Sequence, residues 1–191
     1  MDFQTVASTR RTIRRFEQRE VPETELRHLI DMARYSSCAS NKQPLRYLVI
    51  RKKELVRQIF ETTRWAGLVA PRRTPQWGVD APLCFIAVTA PENAGTFIHA
   101  DAGAAIQSME MAAWNHGIGC CWIGSFDPAE VNALLRADDL PVRYLVAVGY
   151  PAEDPVVERI GADGSPAYYL DDSDTLHVPK YSVDAVTTYW D

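Results

Sequence analysis

The residues best suited to chemistry near the start of the chain are Arg10, Arg11, Thr12 and Arg14, which lie within five consecutive positions. A guanidinium group offers a bidentate fork to a phosphate, and a hydroxyl adds one more donor. The cluster therefore indicates a phosphate site. Two other interpretations are a solvated basic stretch and an arm that binds nucleic acid, although the formal net charge of −5 argues against the second.

A second polar segment extends from Ser36 to Pro44, between a helical pattern and a strand pattern. Its small side chains would let a planar ligand approach the backbone. The amides of Asn41 and Gln43 can both donate and accept hydrogen bonds. The same composition is typical of an ordinary loop, so the alternatives are a cofactor cradle and a plain connection.

A third segment, residues 117–126, combines three glycines with an apolar strand pattern. It lacks the G-x-G-x-x-G spacing, and the chain has no Walker motif, so neither nucleotide-binding fold is indicated. The strand ends at Gly124-Ser125 and is followed by a helix start at Asp127-Pro128. This arrangement presents free backbone N–H groups to a ligand.

Other common kinds of chemistry lack their residue patterns. The four histidines and four cysteines form neither H-E-x-x-H nor C-x-x-C, so no metal site is predicted. No G-x-S-x-G motif is present, which leaves hydrolase chemistry without a visible nucleophile. The scattered cysteines are typical of a reduced, cytoplasmic protein, and Cys120 and Cys121 are predicted to point to opposite sides of a strand.

Helical and strand patterns alternate along the chain, which favours an α/β or α+β fold. Helices are predicted from Pro22, over Lys53 to Thr62, over Phe97 to His116, and from Asp127. Strands are predicted over Tyr47 to Ile50, Leu83 to Thr89, Cys120 to Gly124, and Arg143 to Val148.

The length of 191 residues predicts a single domain, made of a core (1–151) and an acidic extension (152–191). The extension holds nine acidic residues against two basic ones and has few apolar residues. We expect it to lie on another surface, for which a partner subunit is a natural candidate. No apolar run is long enough to span a membrane, and the N-terminus has no apolar signal core.

The three polar segments together resemble motifs of the nitroreductase family of flavin enzymes. Residues 10–16 are similar to R-R-S-x-R-x-F, residues 37–44 to P-S-S-x-N-x-Q-P-W, and residues 117–124 to G-L-G-T-C-W-I-G. Residues 101–109, 148–151 and 178–180 are similar to the family's central helix, last strand and basic tail. The departures are Thr12 for Ser, Ser37 for Pro, Cys38 for Ser, Leu45 for Trp, Cys120 for Thr, and Tyr181 for a second basic residue.

The resemblance implies an α+β nitroreductase-like fold, with a central, mostly antiparallel sheet flanked by helices. It also implies an interlocked homodimer whose extension wraps the partner and whose interface holds FMN. The phosphate of FMN would be held by Arg10, Thr12, Arg14 and Lys180, with Arg10 or Arg11 near the pyrimidine edge of the ring. The other subunit would supply Ser37, Cys38, Ala39, Asn41 and Gln43. The isoalloxazine would lie against the backbone of Trp122, Ile123 and Gly124.

The implied activity is an NAD(P)H-dependent oxidoreductase that reduces nitroaromatics, quinones or related electron-poor acceptors by a ping-pong hydride mechanism. The flavin carries the chemistry, so no catalytic side chain is expected. Alternatives are dehalogenation, flavin breakdown or ene reduction at the same FMN site, and a flavin-binding sensor without turnover. Trp65 and Trp77 lie in a Pro- and Gly-rich segment, where they either belong to a lid over the substrate or are packing residues at the dimer surface.

Overall fold

The computed structural model of the protein describes residues 1–190, which form six α-helices and seven strands. The helices are α1 (Phe3–Thr9), α2 (Glu23–Ala33), α3 (Lys53–Thr62), α4 (Ile98–Asn115), α5 (Pro128–Leu135) and α6 (Val183–Val186). The strands are β1 (Arg46–Ile50), β2 (Cys84–Thr89), β3 (Gly119–Ile123), β4 (Val142–Gly149), β5 (Val156–Ile160), β6 (Tyr169–Leu170) and β7 (Leu176–Tyr181). None of the described helices is long and apolar enough to cross a membrane.

Four strands form the main sheet in the order β1-β2-β4-β3, and every neighbouring pair is antiparallel. The central strand β2 is buried along its whole length. Helices cover both faces of the sheet, so its inner strands are continuous apolar runs rather than alternating ones. The expected α+β architecture with an antiparallel sheet is confirmed, and the predicted strands match the observed ones to within one residue at each end.

Two hydrophobic cores lie on the opposite faces of the main sheet. Phe85 and Leu145 point to the core beneath α3 and α5, whereas Ile86 and Val146 point to the core beneath α2 and α4. Burying one such side chain stabilises the fold by about 1.5–3 kcal/mol. The adjacent cysteines divide in the same way, since Cys121 joins the first core and Cys120 the second, as predicted.

The longest helix, α4, packs a stripe of small residues against α2 and the sheet. Its buried positions include Ala102, Ala105 and Ala113, which the sequence pattern predicts. Their short side chains allow the two helices to approach closely. Gly117 follows the helix with a φ of 72°, a conformation that glycine adopts at little cost. The close packing of α2 on α4 brings the segment after α2 against the first half of α4.

The acidic extension forms a second sheet in the order β5-β7-β6. This sheet is tied to its own chain, because the carboxylate of Asp174 accepts a hydrogen bond from Arg72 at 2.8 Å. The residues after it remain exposed, with Val186, Tyr189 and Trp190 at 67%, 79% and 93%. The extension therefore has a part that folds on its own subunit and a short apolar end that contacts little.

Candidate functional site

Residues 10–16, here called the arginine-rich segment, run beside β3 in an extended conformation. Thr12 forms a parallel bridge with Cys120, and the Ile13 N–H donates to the Cys120 carbonyl at 2.9 Å. Ile13 and Phe16 are fully buried in the core. These two apolar anchors fix the register of the polar residues between and before them.

Two glycines make room for these anchors. A Cβ on Gly119 would lie 2.6 Å from Cγ1 of Ile13, and one on Gly149 would lie 2.8 Å from Cδ1 of Phe16. Real Cβ atoms do not approach side-chain carbons this closely, so any larger residue would push the segment away. Gly119 of the third polar segment and Gly149 of the last strand thus act here by allowing close packing of the arginine-rich segment.

A buried ion pair supports the same segment from the other side. One carboxylate oxygen of Glu153 accepts the N–H groups of Arg14 at 2.5 Å and Arg15 at 3.2 Å. Its second oxygen pairs with Arg73 at 3.1 Å, and the two side chains are 2% and 8% exposed. Sequence analysis missed this pair, because no motif links residues that lie 80 positions apart.

The three arginines of the cluster have different surroundings. The guanidinium of Arg10 pairs with the buried carboxylate of Glu110 at 3.3 Å. Burial raises the pKa of Glu110 from its ordinary value, and Arg10 opposes that rise. The guanidinium of Arg11 is turned inward and donates to the carbonyls of Ser8 and Arg10. Burial lowers the pKa of Arg11.

Arg14 instead reaches a small cavity at the end of β3. Its guanidinium carbon also lies 5.2 Å from the ring centroid of Tyr168. The cavity has a volume of about 120 Å³, and its lining consists of Arg14, Arg64, Trp65, Ala66 and residues 121–125. Two cationic side chains and no acidic one therefore line it. Gly124 and Ser125 lie beyond the last paired residue of the strand, so the ladder does not use their N–H groups.

Arg64 is a second residue that sequence analysis missed. Its backbone N–H donates to the Ser125 carbonyl at 2.9 Å, which holds it beside the end of β3. The side chain is exposed and lines the cavity together with Arg14. Its only sequence signal is a basic residue shortly after a helix, which is too common to identify a site.

The second polar segment forms an irregular loop between α2 and β1. Ser40, Asn41 and Gln43 all have positive φ values, of 52°, 51° and 48°. The Gln43 side-chain amide donates to Oδ1 of Asn41 at 3.1 Å, and both side chains are exposed. Ser37, Cys38 and Gln43 line a cavity of about 180 Å³ that extends to Tyr47 and Asp101.

Within one chain, the predicted site residues fall into separate groups. Arg14 and residues 122–124 line one cavity, whereas Ser37, Cys38 and Gln43 line the other, and the two cavities share no residue. Lys180 lies on β7 opposite Arg159, is exposed, and lines neither cavity.

Trp65 and Trp77 pack into the fold. Trp65 is 7% exposed, and its Nε1–H donates to Oγ1 of Thr63 at 2.7 Å. Both rings tilt against Phe60, with centroids 5.9 Å and 5.8 Å away. Both rings thus pack within their own chain, whereas a place at the dimer surface and a role as a lid both stay predictions.

The adjacent cysteines are not positioned as nucleophiles. Burial raises the pKa of Cys121 to about 12 and that of Cys120 well above its ordinary value. The thiolate is the reactive form of cysteine. Both groups therefore remain thiols at neutral pH and serve as core residues.

Three comparisons place the chain among known proteins. The model described as Nitroreductase family matches residues 7–150. A protein of Methanothermobacter thermautotrophicus, assigned by name as an NADH dehydrogenase/NAD(P)H nitroreductase, is 28% identical over 189 residues, covering 95% of this chain and 88% of that protein.

Two solved structures share the fold. The first, from Desulfovibrio desulfuricans, is assigned by name as a nitroreductase and was solved in complex with FMN. It is 24% identical, with a TM-score of 0.65, covering 81% of this chain and 88% of the other. The second is oxidized iodotyrosine deiodinase bound to FMN and 3-iodo-L-tyrosine. It is 21% identical, with a TM-score of 0.68, covering 90% and 96%.

Proposed function

Because the chain belongs to the nitroreductase family, we propose that it is an FMN-dependent oxidoreductase that uses NADH or NADPH to reduce electron-poor acceptors such as nitroaromatics and quinones. The observation that carries this proposal is the cavity at the end of β3, where Arg14 and Arg64 meet strand-end backbone without an opposing carboxylate. Such a site suits an anionic, planar ligand. The FMN named in related structures has both properties.

The arginine-rich segment has the donors that a phosphate needs. Arg10 and Arg14 are both partly accessible, and Thr12 adds a hydroxyl beside β3. We assign the phosphate of FMN to these residues, with Lys180 as a further cation. The inward-facing Arg11 supports the segment rather than the ligand.

The ring of FMN is assigned to the backbone of Trp122, Ile123 and Gly124. Ser37, Cys38, Ala39, Asn41 and Gln43 would contact it from a second subunit. The reason is that these residues line or border a different cavity from Arg14 within one chain. Two copies facing each other would bring the two groups together, so we propose a homodimer with FMN at its interface.

Apolar surfaces that the single chain leaves uncovered support this dimer. A groove of about 710 Å³ beside α4 is lined by side chains that include Met1, Phe3, Met32 and Met111. The edge strand β1 exposes Leu48 and Val49 at 37% and 40%. Large apolar surfaces and unpaired strand edges are normally covered by a partner. Light scattering of the purified protein should therefore give twice the mass of the chain.

When bound, FMN supplies two-electron transfer between a nicotinamide donor and an acceptor. The protein residues are left with binding and orientation. This division of labour agrees with the cavity lining, in which none of the described side chains is a histidine or a carboxylate. No ionisable dyad for acid–base catalysis is therefore assigned.

The proposal is tested by the visible absorption spectrum of the purified protein, followed by anaerobic addition of NADH and NADPH. We expect flavin bands that bleach within the mixing time or soon after. Bands that persist after both additions would instead favour a flavin-binding sensor or carrier without turnover. A protein that neither contains flavin nor takes up added FMN would contradict the proposed cofactor and function together.

Turnover assays separate the possible acceptors. The reduced protein should be reoxidised by a nitroaromatic or a quinone and should release the reduced product. The fold shared with iodotyrosine deiodinase makes a halogenated phenol the informative competitor. Release of halide without nitro or quinone reduction would favour dehalogenation at the same site.

A further inference from the structure

The loop between α2 and β1 is held in an unfavourable backbone conformation. Ser40, Asn41 and Gln43 have φ values near 50°, and none of them is a glycine. The left-handed region is disfavoured for a residue with a Cβ, because the Cβ comes too close to the following carbonyl oxygen. Such a conformation persists only when surrounding contacts hold it in place. Residues outside the loop therefore have to provide contacts that hold it.

The contacts converge on Asp101, in the first turn of α4. One carboxylate oxygen accepts the Ala39 N–H at 2.9 Å, and the other accepts the S–H of Cys38 at 3.3 Å. The same sulfur accepts the N–H of Gln43 at 3.1 Å. The thiol thus uses its one hydrogen toward Asp101 and its lone pair toward Gln43. A single carboxylate, 8% exposed, therefore holds both the beginning and the end of the loop.

The neighbouring contacts on α4 hold Ser36, which lies in the loop before residues 38–43. The hydroxyl of Ser36 lies 3.3 Å from the Ala104 carbonyl and 3.1 Å from the Ser108 hydroxyl. Positions 101, 104 and 108 lie on one face of a helix, so α4 presents a row of acceptors to the chain that follows α2. Asp101 is the member of this row that reaches residues 38 and 39.

We propose that Asp101 is a positioning residue that holds residues 38–43 in the conformation that receives FMN, and that the thiol of Cys38 carries this effect to Gln43. The inference rests on the proposed function of the site. Asp101 itself does not need to touch the ligand. Its role is to keep the loop ordered before binding. The free energy of FMN binding is then not reduced by the entropy lost in ordering the loop.

The test compares Asp101→Ala with Asp101→Asn. Asparagine keeps an oxygen for the Ala39 N–H and offers its NH₂ group to the sulfur, whereas alanine keeps neither contact. Lys42 lies in the loop and is exposed, so cleavage by trypsin after Lys42 in the native protein reports on loop opening. A lost contact of about 1.4 kcal/mol corresponds to a tenfold change. We expect D101A to be cleaved at Lys42 roughly tenfold faster and to bind FMN about tenfold more weakly, with D101N in between.

Asp31→Ala is the matched control, because Asp31 lies on neighbouring α2 and, among residues 1–190, forms its ion pair with the exposed Arg34. The proposal is overturned if D101A is cleaved at Lys42 no faster than D31A, or if it binds FMN as tightly as the wild type. If the wild type binds no FMN, the proposed function fails, and the cleavage rates still decide whether Asp101 holds the loop.

A second pair of variants applies if D101A does not fold. Cys38→Ser keeps a group that both donates and accepts, whereas Cys38→Ala removes it. We expect trypsin to cleave C38S at Lys42 as slowly as it cleaves the wild type, and to cleave C38A faster. Equal cleavage rates for these two variants would contradict the role given to the thiol.

Discussion

At the scale of single residues, identical side chains in one motif have different roles. Arg10 pairs with the buried Glu110, Arg11 turns inward to carbonyls at the end of α1, and Arg14 faces a cavity. Residue type and spacing predicted a cationic segment. They could not predict these orientations, because each depends on a partner elsewhere in the fold, such as a glutamate 100 positions away. Arg64 illustrates the same limit, since only tertiary contact brings it to Arg14.

Replacing Arg64 with glutamine should weaken FMN binding. The cavity has two cationic side chains, and removing one loses a charge-assisted contact of about 1.5 kcal/mol, or roughly tenfold in affinity. Quenching of flavin fluorescence on titration measures the change. Arg57→Gln is the matched control, because Arg57 pairs with Glu61 at 3.0 Å on the exposed side of α3. Equal affinities for the two variants would remove Arg64 from the site.

At the scale of elements, the sequence predicted positions better than contacts. Strands β2 and β4 are each dominated by a continuous run of buried, mostly apolar residues, so the pattern located them directly. The reason for Gly119 was not visible, because the requirement comes from Ile13 on another segment. The buried pair of Arg73 and Glu153 was hidden in the same way. Local pattern thus reveals elements, whereas long-range polar pairs and close approaches depend on how the elements assemble.

Replacing Gly119 with alanine should shift the arginine-rich segment. The new Cβ would meet Ile13 at 2.6 Å and 2.8 Å, and overpacking of this kind costs about 1–3 kcal/mol of unfolding free energy. FMN affinity should fall as well, because the phosphate ligands move with Ile13. Denaturant titration and flavin titration measure the two effects. Gly67→Ala is the control, since nothing lies within 4 Å of its added Cβ. An unchanged stability of G119A would contradict the close-approach argument.

The second sheet contains a pH-dependent contact. Nδ1 of His177 lies 2.7 Å from Glu158, Nε2 lies 3.1 Å from Asp171, and the ring stacks on Tyr169. The hydrogen bond to Asp171 is the main cause that raises the pKa of His177 above 6.5. The stabilisation is therefore fully present below about pH 6.5 and is lost as pH rises through the folded-state pKa. At the acid end, hydrogen bonds from Thr175 and His177 lower the pKa of Asp171, so its contribution is lost only as pH falls through that lowered value.

The variant His177→Gln tests this contact. Its melting temperature should lie below that of the wild type near pH 6, and the difference should shrink as pH rises into the alkaline range. Comparing the melting temperatures of the two proteins across one pH series isolates the effect of the His177 imidazolium, because the other titrating groups are common to both proteins. A difference that stays constant with pH would mean that His177 contributes by packing alone.

At the scale of the whole molecule, the extension predicted to wrap a partner has two parts. Residues 156–181 form a sheet on their own chain, a detail that the acidic composition did not reveal. Residues 183–190 leave large apolar side chains exposed, and their place on a partner subunit stays a prediction. Asp191 lies outside the described residues, and the cytoplasmic location stays a prediction.

Removing residues 183–191 should affect the dimer more than the subunit. The side chains of residues 183–190 bury little on their own chain, so their loss costs a single subunit little packing energy. If they lie on the partner, the melting temperature of the truncated protein should become more dependent on protein concentration. Light scattering across a dilution series measures the accompanying dissociation. A truncated protein that dissociates no more readily than the full chain would place the end of the extension elsewhere.

The proposed sharing of each FMN site between two subunits can be tested by combining two differently damaged variants. One variant can carry a damaged arginine-rich segment and another a damaged loop, and each alone would form dimers with two defective sites. In the proposed mixed dimer, one FMN site would receive the intact segment of one subunit and the intact loop of the other, while the second FMN site would receive both lesions. Two inactive proteins would therefore complement each other when they are unfolded and refolded together, and a site built within one chain would not.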